Sequence, residues 1–189
     1  MDTLWGPMES IEQFLLVPVQ DKEQVLIEDL TFIPIHSPGH ASHHIAWQLD
    51  DKVFTGDVGG VKINNGPVVP PCPPPDINIE AWKASVAKIL DRHPKELYLT
   101  HFGKIVNPKQ HLDQLIKILD DWALWVKKRF DNRDQTEGII PEFMNYTAKQ
   151  LESKGAGKEL QELYELANPS WMSVGGLMRY WKLKAEGRI

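Results

Sequence analysis

The stretch "TFIPIHSPGHASHHIAWQL", residues 31–49, decides the fold. Its two apolar runs, TFIPI and HHIAWQL, contain the β-branched and aromatic residues typical of strands, and a Ser-Pro-Gly turn separates them. Four of the chain's seven histidines lie in or beside this turn: His36, His40, His43 and His44. The pattern predicts two strands joined by a turn that carries imidazole groups.

Composition limits the class of protein. The chain has 189 residues, of which 42% are hydrophobic, enough for one substantial core. Its formal charge of -5 and dispersed basic residues disfavour nucleic acid as a partner. No stretch approaches the roughly 20 apolar residues of a membrane span, and no secretory signal pattern is present. The single cysteine, Cys72, excludes an intrachain disulfide, so we expect a cytoplasmic protein without a membrane partner.

The order of elements along the chain predicts an α/β fold. Further strand-like runs are FLLVPV (14–19), QVLIED (24–29), KVFTGD (52–57) and ELYLT (96–100). Residues 59–76 hold six prolines and three glycines, which predicts an irregular surface loop, active-site loop or simple connection. Helical periodicity predicts helices from Asn78 to His93, from Pro108 onward, and over about 139–153, 158–167 and 171–184.

Three apolar runs each lead into a potential metal ligand, namely His40, Asp57 and His101. If these runs are neighbouring strands with one direction, their ends deliver two imidazoles and a carboxylate to the same sheet edge. That set of ligands suits Zn²⁺, which lowers the pKa of a bound water toward neutrality. Hydrolysis is the chemistry that the pattern predicts.

The motifs SPGHAS (37–42), FTGD (54–57) and LTHFG (99–103), in this order and spacing, resemble the second half of the metallo-β-lactamase superfamily of dinuclear metallohydrolases. The resemblance covers about residues 25–130. It implies an α/β fold that is the C-terminal half of an αββα sandwich, formed by residues 1–130, with a helical extension over 131–189. It also implies that His40 serves one zinc ion, that His101 serves the second, and that Asp57 bridges both as the catalytic carboxylate.

One part of the family pattern is absent from these 189 residues, the first-half motif His-x-His-x-Asp-His. In the family that half supplies the other ligands of both ions, so we expect this chain alone to bind zinc poorly and to be inactive. The resemblance implies the C-terminal portion of a hydrolase that acts on a small ester or thioester-like substrate. Pairing with a separate first half, a homo-oligomer, or a vestigial, partner-binding domain without activity are the alternatives left open.

The remaining histidines are predicted to have structural roles. Alternation along HHIAWQL directs one of His43 and His44 inward and the other outward, and hydrogen bonding is favoured over metal ligation for both. His36 is expected to be structural, and His93 and His111 to be exposed.

The last predicted helix carries an apolar stripe of Trp171, Val174, Met178 and Trp181. Such a stripe at helical spacing favours core packing over a substrate wall. The Gly175-Gly176 pair within it indicates a close approach of another backbone.

Overall fold

The fold is known from a computed structural model that describes residues 9–189. Residues 1–8 of the predicted first segment, 1–130, lie outside the described residues. The strands are β1 (Val25–Ile27), β2 (Leu30–His36), β3 (Ile45–Leu49), β4 (Lys52–Val61), β5 (Glu96–His101) and β6 (Gly103–Ile105). The helices are α1 (Ile79–Leu90), α2 (Pro108–Asp131), α3 (Thr136–Ser153), α4 (Lys158–Ala167) and α5 (Ser170–Ala185).

The six strands form one sheet in the order β1-β2-β3-β4-β5-β6. Strands β4 and β5 pair in parallel, and all other neighbours pair antiparallel. Strands β2, β4 and β5 therefore run in the same direction, as the metal hypothesis requires. The expectation that the three are neighbours is wrong for β2, because β3 lies between β2 and β4.

Two strand predictions need correction. The run FLLVPV forms no strand, but a 3-10 turn at Gln13–Leu15 followed by irregular chain, and its apolar side chains are exposed because no strand pairs with it. Strand β4 does not end at Asp57 but continues to Val61, so residues 59–61 belong to the sheet rather than to a loop. The short edge strand β6 was not predicted.

The predicted helices are all present. Helix α1 begins where the Asn78 side chain accepts a hydrogen bond of 2.9 Å from the Ala81 N–H, the usual arrangement of an N-cap. It ends at Leu90, and His93 then adopts a left-handed conformation (φ 50°) before Pro94. None of the helices within residues 9–189 is both long and apolar enough to cross a membrane.

The two faces of the sheet differ. On one face α1 is anchored by the buried Trp82, whose Nε1–H donates to the Val58 carbonyl at 2.9 Å.

The strand register places Trp47, Phe54 and Tyr98 side by side on the other face of the sheet. The rings of Phe54 and Tyr98 are stacked with centroids 5.1 Å apart, and the ring of Phe32 lies edge-on to that of Trp47. We call this the aromatic face. Phe54 is 39% exposed, so the face is only partly covered by the described residues.

Residues 62–76, the proline loop, are largely buried rather than spread over the surface. Helix α4 holds the loop through Tyr164, whose hydroxyl donates to the Pro67 carbonyl at 2.6 Å. Just after α4, the Asn168 amide donates to the Pro70 carbonyl at 3.1 Å. Helix α5 lies so close that a Cβ on Gly176 would overlap the carbonyl oxygen of Cys72. The loop is therefore a middle layer between the sheet and the helical tail.

The tail confirms most of the packing predicted for it. Val174 is fully buried, Met178 and Trp181 pack against the core, and the Trp181 Nε1–H donates to the Ala123 carbonyl at 2.8 Å. Trp171 is 44% exposed and is the exception. One hydrophobic cluster contains residues from before and after position 130, so the division into 1–130 and 131–189 stays a prediction.

The expectation that His111 is exposed is wrong. It is 5% exposed, because the first turns of α2 lie against β4, and its Nε2 lies 2.8 Å from the Gly59 carbonyl. A carbonyl only accepts, so Nε2 carries a proton and donates. Burial lowers the pKa of this imidazole below its ordinary value of 6.5.

We predict that replacing Gly176 with alanine destabilises the chain, while the same change at Gly175 does not. The methyl group at position 176 would collide with the Cys72 carbonyl, an overpacking that costs about 1–3 kcal/mol. At Gly175 the nearest atom would be 4.0 Å away, and alanine in a helix interior is favoured over glycine by about 1 kcal/mol. Chemical denaturation of both variants measures the difference, and equal effects would contradict the close approach.

We also predict that His111 makes the fold sensitive to acid. Its folded pKa lies below the unfolded value, so the unfolded chain binds more protons below about pH 6.5. Stability is complete above that pH and is lost as pH falls through it, with a limiting slope of about 1.4 kcal/mol per pH unit. His111→Gln keeps an amide donor for Gly59 and should flatten the decline in unfolding free energy as the pH falls below about 6.5. An unchanged slope would contradict this assignment.

Candidate metal centre

The turn after β2 is held against α1, which positions His40. The Gly39 carbonyl accepts a hydrogen bond from the Asn78 N–H at 2.8 Å, and the Pro38 carbonyl accepts one from the Ser85 hydroxyl at 2.7 Å. The His40 ring packs edge-on to Trp82, with centroids 5.8 Å apart. Helix α1 therefore fixes the backbone and the ring of the first predicted ligand.

The protonation of His40 follows from its neighbours. Its Nδ1 lies 2.9 Å from the Pro71 carbonyl of the proline loop, and a carbonyl only accepts, so Nδ1–H is the donor. In the neutral ring Nε2 is then a bare lone pair. That nitrogen faces the Asp57 carboxylate, with Nε2 and Oδ2 separated by 3.4 Å. A histidine anchored through one nitrogen and free at the other is the usual form of a metal ligand.

The irregular pairing of β4 with β5 brings Asp57 to His101. Gly56 pairs with Leu99 and Val61 pairs with His101, so the stretch of β4 between these pairs bulges away from regular register. His101 is the last residue of β5, and its Nε2 lies 3.0 Å from Asp57 Oδ1. The contact with His101 lowers the pKa of Asp57, and the contact with Asp57 raises the pKa of His101.

Oxygen Oδ1 of Asp57 is buried and has no hydrogen bond of acceptable geometry from any of residues 9–189, although His101 Nε2 is only 3.0 Å away. The distance is short, but the N–H direction is not aligned with the oxygen, so the contact is electrostatic. A buried carboxylate oxygen without a hydrogen-bond donor is costly, and a cation is the natural partner for it.

The structure therefore brings His40, Asp57 and His101 together, with one imidazole at each carboxylate oxygen. Two ligand atoms on a tetrahedral zinc ion lie about 3.4 Å apart, given Zn–N and Zn–O distances near 2.1 Å. The separation of 3.4 Å at His40 matches that spacing and the separation of 3.0 Å at His101 is shorter, while the nitrogen and carboxylate donors are of the kind that zinc takes. Within residues 9–189 no three His, Cys, Asp or Glu side chains surround one point as a metal shell.

His44 lies beside these residues, which the sequence did not reveal. Its Nδ1 is 2.8 Å from the hydroxyl of Ser37, a fully buried residue, and its ring covers Gly56, where a Cβ would overlap the imidazole. Burial lowers the pKa of His44 to about 4, so the ring is neutral at pH 7. His43 is exposed and His44 is partly buried, as predicted, but the reason given was wrong, because both residues precede β3 in a turn and are not part of the strand.

The other histidines lie outside the centre. His36 ends β2, where its backbone N–H donates to the Asp21 carboxylate at 2.7 Å, and His93 is exposed at the end of α1. Two partners of the centre were missed from sequence, the Pro71 carbonyl and the Ser37 hydroxyl. The sequence could not predict either contact. Every residue has a backbone carbonyl, so nothing marks that of Pro71, and a serine before a proline is typical of an ordinary turn.

Comparisons with known proteins agree with this fold. No family model matches the chain. It is 32% identical over 117 residues to the metallo-beta-lactamase fold-containing protein ST1585 of Sulfurisphaera tokodaii, a match that covers 60% of this chain and 44% of that protein. The chain thus spans less than half the length of this curated relative.

Two solved structures are similar. The crystal structure of ST1585, described as an archaeal metallo-beta-lactamase superfamily protein, matches with a TM-score of 0.52 and 28% identity over 60% of this chain and 44% of that one. The metallo-beta-lactamase family protein TTHA1429 of Thermus thermophilus matches with a TM-score of 0.59 and 17% identity over 97% and 56%. These matches confirm the predicted α/β fold class and the partial resemblance to this superfamily.

We predict that Gly56→Ala displaces the His44 ring. Alanine at φ +55° costs about 1–2 kcal/mol from the left-handed backbone alone, and the overlap with the imidazole adds to this cost. Gly155→Ala is the matched control, because Gly155 also has a positive φ (86°) but has nothing within 4 Å of a Cβ. Denaturation should show a larger loss for Gly56→Ala, and NMR should show shifted His44 and Ser37 resonances. Equal losses and unshifted resonances would contradict the packing.

Proposed function

We propose that this chain, a partial match to the metallo-beta-lactamase superfamily, supplies His40, Asp57 and His101 as ligands to the dinuclear zinc centre of a hydrolase. One observation carries the proposal: the Asp57 carboxylate lies between two imidazole nitrogens at 3.4 and 3.0 Å, and its Oδ1 is buried without a hydrogen bond from the part of the chain that the structure describes. In a neutral His40 the Nε2 lone pair faces a carboxylate oxygen, and this arrangement is repulsive without a cation between them.

The chemistry of the ligands supports zinc, which takes imidazole nitrogen and carboxylate oxygen in tetrahedral sites. Zinc held there would act as a Lewis acid and lower the pKa of water enough for hydrolysis at neutral pH. The residues of this chain hold and orient the ligands. Pro71 fixes the tautomer of His40 through its carbonyl, and the bulge in β4 turns Asp57 toward both imidazoles.

The proposed substrate is a small ester or thioester. His101 has a side chain that is 37% exposed, so the centre is accessible from its side. Phe102 is 57% exposed, and its ring centroid lies 6.2 Å from that of His101. An apolar surface beside the exposed ligand suits the acyl part of such a substrate.

The number of ligands indicates that a further segment completes the centre. Each carboxylate oxygen of Asp57 has one imidazole beside it, whereas zinc usually has three or four protein ligands. The partly exposed aromatic face, which includes Phe54 and Tyr98, provides a surface on which such a segment can pack. The same face favours the second candidate function, a partner-binding domain without catalysis.

We expect the chain alone to bind zinc only weakly, Asp57→Ala to abolish that binding, and no hydrolysis until a first-half polypeptide with the His-x-His-x-Asp-His motif is added. Calorimetry measures the binding, and release of thiol from a generic thioester measures the activity. His93→Ala, a change at an exposed histidine outside the centre, should alter neither.

Hydrolysis by the chain alone that persists with a chelator and in Asp57→Ala would overturn the metal mechanism. Zinc binding without activity in any combination would instead favour the partner-binding function.

A further inference from the structure

A cavity of about 450 Å³ lies between helices α2, α3 and α4 and the proline loop. Its walls are formed chiefly by buried side chains, those of Trp122, Phe143, Leu151, Val69 and Tyr164. The interiors of folded proteins are close-packed and contain few voids larger than a water molecule. A void of this size is therefore more than imperfect packing.

The cavity is separate from the candidate metal centre but adjacent to the loop that supports it. None of the three proposed metal ligands lines it. Two of its lining residues hold the proline loop, because the Tyr164 hydroxyl donates to the Pro67 carbonyl and the Asn168 amide donates to the Pro70 carbonyl. A molecule in the cavity would therefore contact the side chains that keep this loop in place.

The polar groups in the wall of the cavity are already used within the protein. The Glu165 carboxylate accepts the Ser170 N–H at 2.8 Å and the Ser170 hydroxyl at 2.7 Å. The Gln161 amide donates to the Ala156 carbonyl at 2.8 Å, and the two groups that hold the loop are engaged as well. A charged group inside the cavity would lose its hydration without gaining a partner. The wall therefore favours an uncharged molecule.

Exposed lining residues mark the mouth of the cavity. Lys158 and Glu162 are both exposed there, carry opposite charges and lie one turn apart on α4, so their charges offset each other. Met144 and Leu166 are 48% and 78% exposed and make much of the entrance apolar. The mouth therefore gives an apolar molecule access without favouring a ligand of either charge.

We propose that this cavity is a binding site for an uncharged, apolar small molecule of up to about 18 non-hydrogen atoms. An apolar cavity of about 150 Å³ holds one benzene molecule, and three times that volume sets the limit here. Pockets for small molecules have volumes in this range and walls that are mostly apolar. The site needs no zinc, so the inference goes beyond the proposed function and does not depend on it.

Fluorescence titration of the full, metal-free chain with N-phenyl-1-naphthylamine tests the proposal. This probe is uncharged and apolar, has about the size that the cavity takes, and emits more strongly when it leaves water. We expect saturable binding of one probe molecule per chain. Ala148→Leu adds bulk to the cavity wall and should weaken binding about tenfold or more, because the added group takes space that the probe needs. Ala87→Leu, the same change at an exposed position of α1, should leave binding unchanged.

A second measurement uses the unaltered chain and does not depend on a variant folding. NMR should show NOEs between the bound probe and the methyl group of Met144, which lines the cavity, and none to that of Met178, which packs against the core elsewhere. No saturable binding, equal binding by the Ala148→Leu and Ala87→Leu chains, or NOEs confined to the aromatic face would overturn the proposal. Because the titration contains no metal, each of these outcomes leaves the proposed function intact.

Discussion

The hydrogen bond from His40 Nδ1 to the Pro71 carbonyl joins the three layers of this molecule. On one side it fixes the tautomer and the aim of an imidazole on the turn after β2. The same hydrogen bond also requires the proline loop to stay in place. The Asn168 amide, between α4 and α5, holds the loop by donating to the carbonyl of the adjacent residue, Pro70. A buried carbonyl needs a donor, so displacement of the loop would leave both His40 and the loop unsatisfied.

This connection explains why a helical tail accompanies the sheet. The proline loop has six residues without a backbone N–H, so a regular ladder of hydrogen bonds cannot hold it along its length. The tail supplies side-chain donors instead, from Tyr164 and Asn168, and a glycine at position 176 that lets α5 reach the loop backbone. The geometry of the centre therefore depends on side chains that are distant along the chain.

The candidate metal centre and the aromatic face share one feature: in each, some groups lack the contacts that would satisfy them within residues 9–189. Asp57 has a buried oxygen without a hydrogen bond, and the aromatic face carries stacked rings that remain partly exposed. Burial of a partly exposed apolar face releases about 25 cal/mol for each Å² covered, and completing the shell of an ion stabilises the fold further. Under the proposed function, packing of a further segment would satisfy both and would couple assembly to metal binding.

Sequence reasoning located the three central side chains because they stand in short motifs beside strands, where local patterns are informative. Periodicity over ten or more residues averages out local exceptions, so it also predicted every α-helix within residues 9–189, and α2 is the clearest case. The predictions were wrong at FLLVPV, a segment with strand propensity but no neighbouring strand to pair with, and at His111, which is buried by the contact of α2 with β4.

Some features of the centre depend on residues that meet only after folding. These are the inward position of the His44 ring, its contact with Ser37, the contact of His40 with Pro71, and the register shift that turns Asp57. Tertiary structure decided these features, because hydrogen bonds between distant segments and the register of paired strands have no signature in a single stretch of sequence.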